Sequence, residues 1–405
     1  MSQDAIVIDY SLLLLNPQDK TAQDLIHPLF DQAFGSIDYQ SKDDDSHATA
    51  ASPPPLGLIA IKNVPQFYEA KMNFLPQAHT LISLSKDYLE QDLTDGTSLY
   101  NAGWSHGKEK LGDLPDISKG SFYFNPLMDI PGTNEDRRKY PFAYPCNKWP
   151  KEEYIPQFRD NAMFLGRLMK DVVTLLALHI DSYTTCRLGC TINMGSHIQE
   201  SIKVKGRLLY YFPLDSTTSS TSSINHDEEG KELQDSWIGW HNDSGFLTAL
   251  AGDMYIDHDT GIQLPKEQVD PKAGLYVMNR KGTVVQVSIP PDCMAIQIGE
   301  CMQIVTGGCV VATPHCVRGI TSSSGSSHNI PSTRIARISC PCFVDVAPTF
   351  SLSTPEHTSP DSVLQRSITG RGIKIPPLED RWVNNMDFGS FLQKTFELYY
   401  NWSKK

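Results

Sequence analysis

What most narrows the fold of this chain is a change of hydrophobic period partway along it. From Arg207 onward, apolar residues alternate with polar ones in short runs at 207–213, 237–250, 274–278, 283–289, 294–298, 302–306, 310–313 and 335–344. Alternation with a period of two puts one apolar face on each strand, and glycine, proline and asparagine punctuate the gaps. Many short strands of this kind predict an antiparallel sandwich or barrel. Upstream the period is helical. Phe158, Phe164, Leu165, Leu168, Met169, Val172, Val173, Leu176 and Leu178 recur at helix spacing and predict one long helix over about 154–180. The fold class is therefore α+β with a mainly β core.

The remaining segments arrange themselves around that core. Residues 5–9 (AIVID) and 56–64 predict short buried strands. Helices are expected over 20–34 and from Pro65 to about Ser85. The stretch 41–55 (SKDDDSHATAASPPP) is polar, acidic and proline-rich, and reads as a surface loop. Aromatic clusters at 118–126 and 140–149 fill core or form a substrate-facing wall. Serines at 216–223 form an insertion between strands, and 226–231 is a solvated charge cluster. Phe388, Phe391, Leu392, Phe396 and Leu398 predict a final amphipathic helix, whose apolar face needs cover from the barrel, the long helix or a second copy. The chain divides into a helix-rich region over 1–150, the long helix and β core over 151–350, and a C-terminal loop and helix over 351–405.

Bulk properties exclude several functions. The 405 residues, 40% hydrophobic and 20% charged, suit a soluble enzyme with ample core. A net charge of −12, with no basic stripe, argues against a nucleic-acid partner. No basic leader opens the chain and the apolar run Leu12 to Leu15 is too short to span a bilayer, so neither secretion nor a membrane is expected. Nine cysteines without a CxxC pair predict free thiols and a reducing compartment, the cytosol or nucleus. Cys340 and Cys342 read as buried thiols.

Chemistry concentrates at Trp240-His241-Asn242-Asp243-Ser244-Gly245, with a distant His315 in Ala312-Thr313-Pro314-His315. On a strand, His241 and Asp243 would share a face, and a histidine from another strand would close a triangle of ligands. Two imidazoles and one carboxylate with open positions suit non-haem Fe(II). Other histidines have plainer readings. His79 and His106 are ordinary polar positions, His179 packs at a helix end, and Asp257-His258-Asp259 is turn chemistry rather than a second metal site. Beyond His315, Arg337 and Ser339 would share a strand face, a pair able to clamp a carboxylate. A phenol from Arg207-Leu208-Leu209-Tyr210-Tyr211-Phe212-Pro213 would enter the same cavity.

In this order, AIVID, the long helix, RLLYYFP, HND, Gly261-Ile262-Gln263, Ile298-Gly299-Glu300-Cys301-Met302-Gln303, His315 and Arg337-Ile338-Ser339 resemble the Fe(II)/2-oxoglutarate-dependent dioxygenases. The branch they resemble is the isopenicillin-N-synthase-like one, which includes plant gibberellin oxidases and flavonoid oxygenases. The resemblance covers most of the chain and is strongest over 207–344. It implies a double-stranded β-helix, or jelly-roll, with iron at its mouth and His241, Asp243 and His315 as ligands. Arg337 and Ser339 are implied to hold the far carboxylate of 2-oxoglutarate, with Tyr211 as a further contact. Leu209 stands where the family has asparagine, and His315-Cys316-Val317 where it has HRV. The gap from His315 to Arg337 is long and serine-rich, so Arg334 is a rival clamp. Aspartate at Asp243 argues against a halogenase.

The implied activity is oxidation of a small organic substrate by dioxygen: hydroxylation, desaturation or demethylation, with release of succinate and CO₂. Cofactors are Fe(II) and 2-oxoglutarate, with ascorbate as an optional reductant, and the expected assembly is a monomer or weak dimer. An inactive member serving as a small-molecule binding or sensing module is the competing function, and an oxidase that uses no 2-oxoglutarate is the third.

Overall fold

The computed structural model describes residues 2–35, 53–108, 110–111, 114–214, 236–319, 334–368 and 375–402. The chain enters as strands β1 (Ser2–Asp4) and β2 (Ile6–Asp9), then helix α1 (Lys20–Phe34), β3 (Leu58–Lys62), and helices α2 (Phe67–Phe74) and α3 (Gln77–Ile82). Strands β4 (Gly103–His106) and β5 (Lys119–Phe124) precede the long helix α4 (Phe158–Leu188) and β6 (Val204–Tyr211). Next come β7 (Ser236–His241), β8 (Leu247–Asp257), β9 (Gly274–Met278), β10 (Val284–Ser288) and β11 (Met294–Ile298). Helix α5 (Glu300–Val305), β12 (His315–Arg318), β13 (Ile335–Val344), α6 (Leu378–Arg381) and α7 (Phe388–Trp402) complete the sequence of elements used below.

Two sheets face each other. The larger has eight strands in the order β2-β3-β11-β8-β13-β6-β5-β4, and the smaller has five in the order β1-β10-β9-β12-β7. Pairing is antiparallel except where β1 joins β10 and β2 joins β3. Alternation along each strand sorts the side chains into two cores. In β6, Val204, Leu208 and Tyr210 face outward to α4, while Leu209 and Tyr211 face inward. The inward set meets Trp237, Leu275, Val277, Val285, Val287 and Val317 of the smaller sheet. This is the antiparallel sandwich that the period-two pattern predicts, in the jelly-roll form that the resemblance implies, and strands from the first 124 residues are woven into both of its sheets.

Helix α4 covers the outer face of the large sheet. Leu165, Met169, Val172, Val173, Leu176, Ala177 and Ile180 are all fully buried along it. Burying each large aliphatic side chain contributes about 1.5–3 kcal/mol, so this seam is a main source of stability. The helix begins later than expected, after Pro156, and runs on to Leu188. It stops at Gly189, whose φ of 67° only glycine adopts cheaply. Its polar last turns look like a helix end in sequence, yet Asp181 there is buried and accepts from the amides of Met194 and Gly195.

Four local expectations need correction. The helix expected over 65–85 is broken at Pro76 into α2 and α3. The run 302–306 is not a strand: 302–305 lie in α5, whose residues are all buried, and Thr306 caps it. Residues 310–313 form no strand, and β12 starts only at His315. The run 237–250 is two strands, β7 and β8, separated by a turn over 242–246. The serine insertion at 216–223, the charge cluster at 226–231 and most of the loop at 41–55 lie outside the described residues, as does the serine-rich stretch before Arg334.

The first turn of the last helix is covered by its own chain, whereas Phe396, expected on the same apolar face, is exposed. Phe388 and Phe391 are fully buried, and the Phe388 ring stands 5.2 Å from that of Phe246 in a T-shaped contact. No helix among the described residues is long and apolar enough to cross a membrane.

Candidate metal centre

His241 ends β7 and His315 opens β12, and the two are direct partners in the antiparallel register. Their rings are 4.2 Å apart, centroid to centroid. Asp243 reaches the same spot by a different route from the one its spacing predicts. The strand stops at His241, so the turn rather than the pleat brings the carboxylate round. His315 Nε2 is 4.0 Å from Asp243 Oδ1, and one donor atom from each of the three residues lies within 4.8 Å of the others. Among the described residues this is the one group of three or more ligand-type side chains so arranged.

The hydrogen bonds set the state of each donor. His241 Nδ1 lies 2.8 Å from the carbonyl of Gly239, and His315 Nδ1 lies 3.1 Å from that of Thr313. A carbonyl only accepts, so each Nδ1 carries the proton and each Nε2 presents a lone pair to the centre. Burial, reinforced by the neighbouring His315, pushes the His241 pKa down to about 4, which keeps that ring neutral at physiological pH. The Asp243 side chain is 8% exposed, and its Oδ2 is buried without any hydrogen-bond partner. An orphaned carboxylate oxygen costs free energy unless a cation meets it. Two neutral imidazoles and a carboxylate with a spare oxygen fit a divalent metal ion.

The turn is fastened from below by α5. The amides of Gly299, Glu300 and Cys301 donate to the carbonyls of Phe246, Asp243 and Gly245 at 2.8–3.0 Å. A side chain at Gly299 would run into the Gly245 carbonyl, and one at Gly245 into the Asp345 carboxylate. Asp345 accepts from the Phe246 amide at 3.0 Å and is itself paired with Lys203 at 2.5 Å, all of it buried. Glu300 takes both Nη atoms of Arg381, at 2.5 and 2.6 Å, and also accepts from Asn242 Nδ2 at 3.1 Å.

Arg337, Ser339 and Tyr211 share the inward face. Arg337 lies opposite Tyr211, and Ser339 opposite Leu209, in the β13–β6 ladder. The Arg337 guanidinium sits 4.7 Å from the Tyr211 ring centre and is 5% exposed. Its Nη2 pairs with Asp253, while Nε and Nη1 are buried without partners. Trp237 links this corner to the strand of the metal centre: its ring is 5.6 Å from Tyr211, and His241 lies four residues further along the same strand. That is about 13 Å of strand. Arg334, by contrast, is half-exposed and paired with the exposed Asp259 at 2.9 Å.

The remaining candidates are structural. His258 Nδ1 bonds the Tyr210 hydroxyl at 2.7 Å, and Asp257 accepts from the amides of Asp259 and Thr260, so DHD is turn chemistry. His79 bonds the His258 carbonyl, and buried His179 bonds that of Leu13. Cys340 and Cys342 are buried, and burial pushes both thiols up. Sequence reading missed Asp253, Asn242, Glu300 and Arg381. Glu300 had a faint signal, an acid directly after the glycine that ends an apolar strand; Arg381 had none.

The fold is similar to that of solved structures that include a 2OG-Fe(II) oxygenase family protein and a dioxygenase. Solved structures show the likeness along the whole chain. A full-length Neurospora crassa protein in complex with alpha-KG matches with a TM-score of 0.56 and 17% identity, covering 98% of this chain and 96% of that one. A 2OG-Fe(II) oxygenase family protein from Caulobacter crescentus matches at 0.55 and 17%, over 97% and 98%. The rice dioxygenase for auxin oxidation matches at 0.53 and 15%, over 97% and 95%. No protein-family model matches the chain, and no curated protein matches it by sequence.

Proposed function

We propose that this chain is a non-haem Fe(II)- and 2-oxoglutarate-dependent oxygenase that hydroxylates, desaturates or demethylates a small organic substrate. The observation that carries the reading is the convergence of His241, Asp243 and His315 within 4.8 Å, with one buried carboxylate oxygen left unpaired. These three residues would hold the metal on one face. Bound there, Fe(II) supplies the chelation of 2-oxoglutarate and the activation of dioxygen that turn the diacid into succinate and CO₂. The backbone carbonyls of Gly239 and Thr313 keep both imidazoles oriented, as ligating histidines require.

Arg337 is the clamp for the far carboxylate of the diacid. Its Nε and Nη1 are buried without hydrogen-bond partners and each can donate singly on the inward face, with Ser339 and Tyr211 beside it. Asp253 already holds Nη2, so the diacid shares a guanidinium that is partly neutralised. The exposed Asp259–Arg334 pair points Arg334 away from this role. The Leu209 position adds no polar group to the corner. The Neurospora crassa protein has been crystallised with thymine, a small molecule of the size this reading calls for. A monomer or weak dimer in the reducing cytosol or nucleus, with ascorbate as an optional reductant, suits the free thiols and a ferrous centre.

The test is spectroscopic. Anaerobic protein given Fe(II) and 2-oxoglutarate is expected to develop a visible charge-transfer band, and admission of air to release succinate. The His241→Ala protein is expected to do neither. Folded wild-type protein that shows no band and forms no succinate would point instead to a binding module.

A further inference from the structure

We propose that Arg381 is a positioning residue for the metal centre: through Glu300 and Asn242 it fixes the turn between His241 and Asp243, making the C-terminal segment part of the site. The inference rests on the metal-binding reading above and extends it to residues far outside the jelly-roll strands.

Asn242 is the single residue between two ligands, so any rotation of its backbone displaces both. Its side chain is oriented by the bond from Nδ2 to Glu300, and its Oδ1 is buried without a partner. Glu300 is in turn immobilised: 2% exposed, it receives both ends of the Arg381 fork, and its own amide donates to the Asp243 carbonyl. Arg381 is fully buried and is locked by the carbonyls of Pro376 and Pro377 through Nε and by Thr395 of α7 through Nη1. The chain of contacts therefore runs from α7 through α6 and α5 to the ligand turn. A buried ion pair repays its desolvation poorly as a source of stability, so a well-packed apolar pair would serve a purely structural joint as well. What a bidentate guanidinium–carboxylate pair adds is a fixed direction. Here that direction is passed to Asn242.

The experiment uses the full chain with Co(II) as the probe, and reads the visible Co(II) spectrum, the Co(II) affinity and the thermal midpoint of the metal-free protein. Asn242→Ala cuts the link while leaving the Glu300–Arg381 pair in place. It is expected to weaken Co(II) binding about tenfold or more and to alter the spectrum, with the metal-free midpoint little changed. Glu300→Gln keeps the shape and loses the charge, and is expected to shift the spectrum in the same sense. Arg381→Lys, if folded, is expected to fall between wild type and Glu300→Gln. Wild-type affinity and spectrum in both Asn242→Ala and Glu300→Gln would overturn the proposal. If wild type and His241→Ala bind Co(II) alike, the metal-binding reading itself fails and takes this proposal with it.

Discussion

The two faces of the eight-stranded sheet are made from the same strands and do opposite things. Outward, Ile59, Leu208, Ala249, Ile296 and Ile338 are sealed against helices, with nothing polar among them. Inward, from three of the same strands, stand Tyr211, Tyr255, Arg337 and Ser339, where two buried Arg337 donors lack partners. The first face is satisfied and the second is not. Alternation along a strand thus lets one backbone separate stability from chemistry, and a one-residue slip would exchange them.

The sharpest way to break that division is at the three residues proposed as ligands. His241→Ala or Asp243→Ala is expected to abolish succinate formation while the metal-free protein unfolds at close to the wild-type temperature; a large drop in that temperature would mean the site also holds the fold. On the outer face the reverse is expected. Leu176→Ala should lower the unfolding free energy by about 2–5 kcal/mol in a denaturant titration, with the 2-oxoglutarate requirement of the folded fraction unchanged.

Arg337→Met should raise the 2-oxoglutarate concentration for half-maximal succinate formation by about 10–100-fold, the loss of one charge-assisted pair. Arg334→Ala should leave it alone, and equal effects would erase the distinction between buried and exposed arginine. The smallest effect is a pH slope on the outer layer. Burial raises the Asp181 pKa to about 7, against the pull of two backbone amides. The folded state then keeps a proton that the unfolded chain releases near 3.8. Its contribution is full below that value and is lost as pH rises through 7, with a slope of at most about 1.4 kcal/mol per pH unit. Asp181→Asn should remove this slope, seen as a flatter plot of urea midpoint against pH.

Much of this was legible in the residues. Strands 274–278, 294–298 and 335–344 fall where alternation puts them, and the long helix stands where its apolar stripe runs. The three ligand-type residues were legible as types and order, and Arg337 with Ser339 as a pair sharing a face. Helix α5 was not, because six consecutive buried residues carry no period that distinguishes helix from strand. Asp253 was hidden by the irregular register between Ala251 and Met254, which resets which face each residue takes. The Glu300–Arg381 pair spans 81 positions, and no local pattern encodes a contact of that range.

The first nine residues have a consequence of their own. Ser2–Asp4 borders the smaller sheet beside β10, and after Ala5, Ile6–Asp9 borders the larger one beside β3, so one short thread closes the flank of both layers. Clipping it would uncover two bare edges at once, each a template for another chain. A protease nick or a bulky fusion at this corner would therefore show up first as self-association, well before any chemistry at the opposite rim was disturbed.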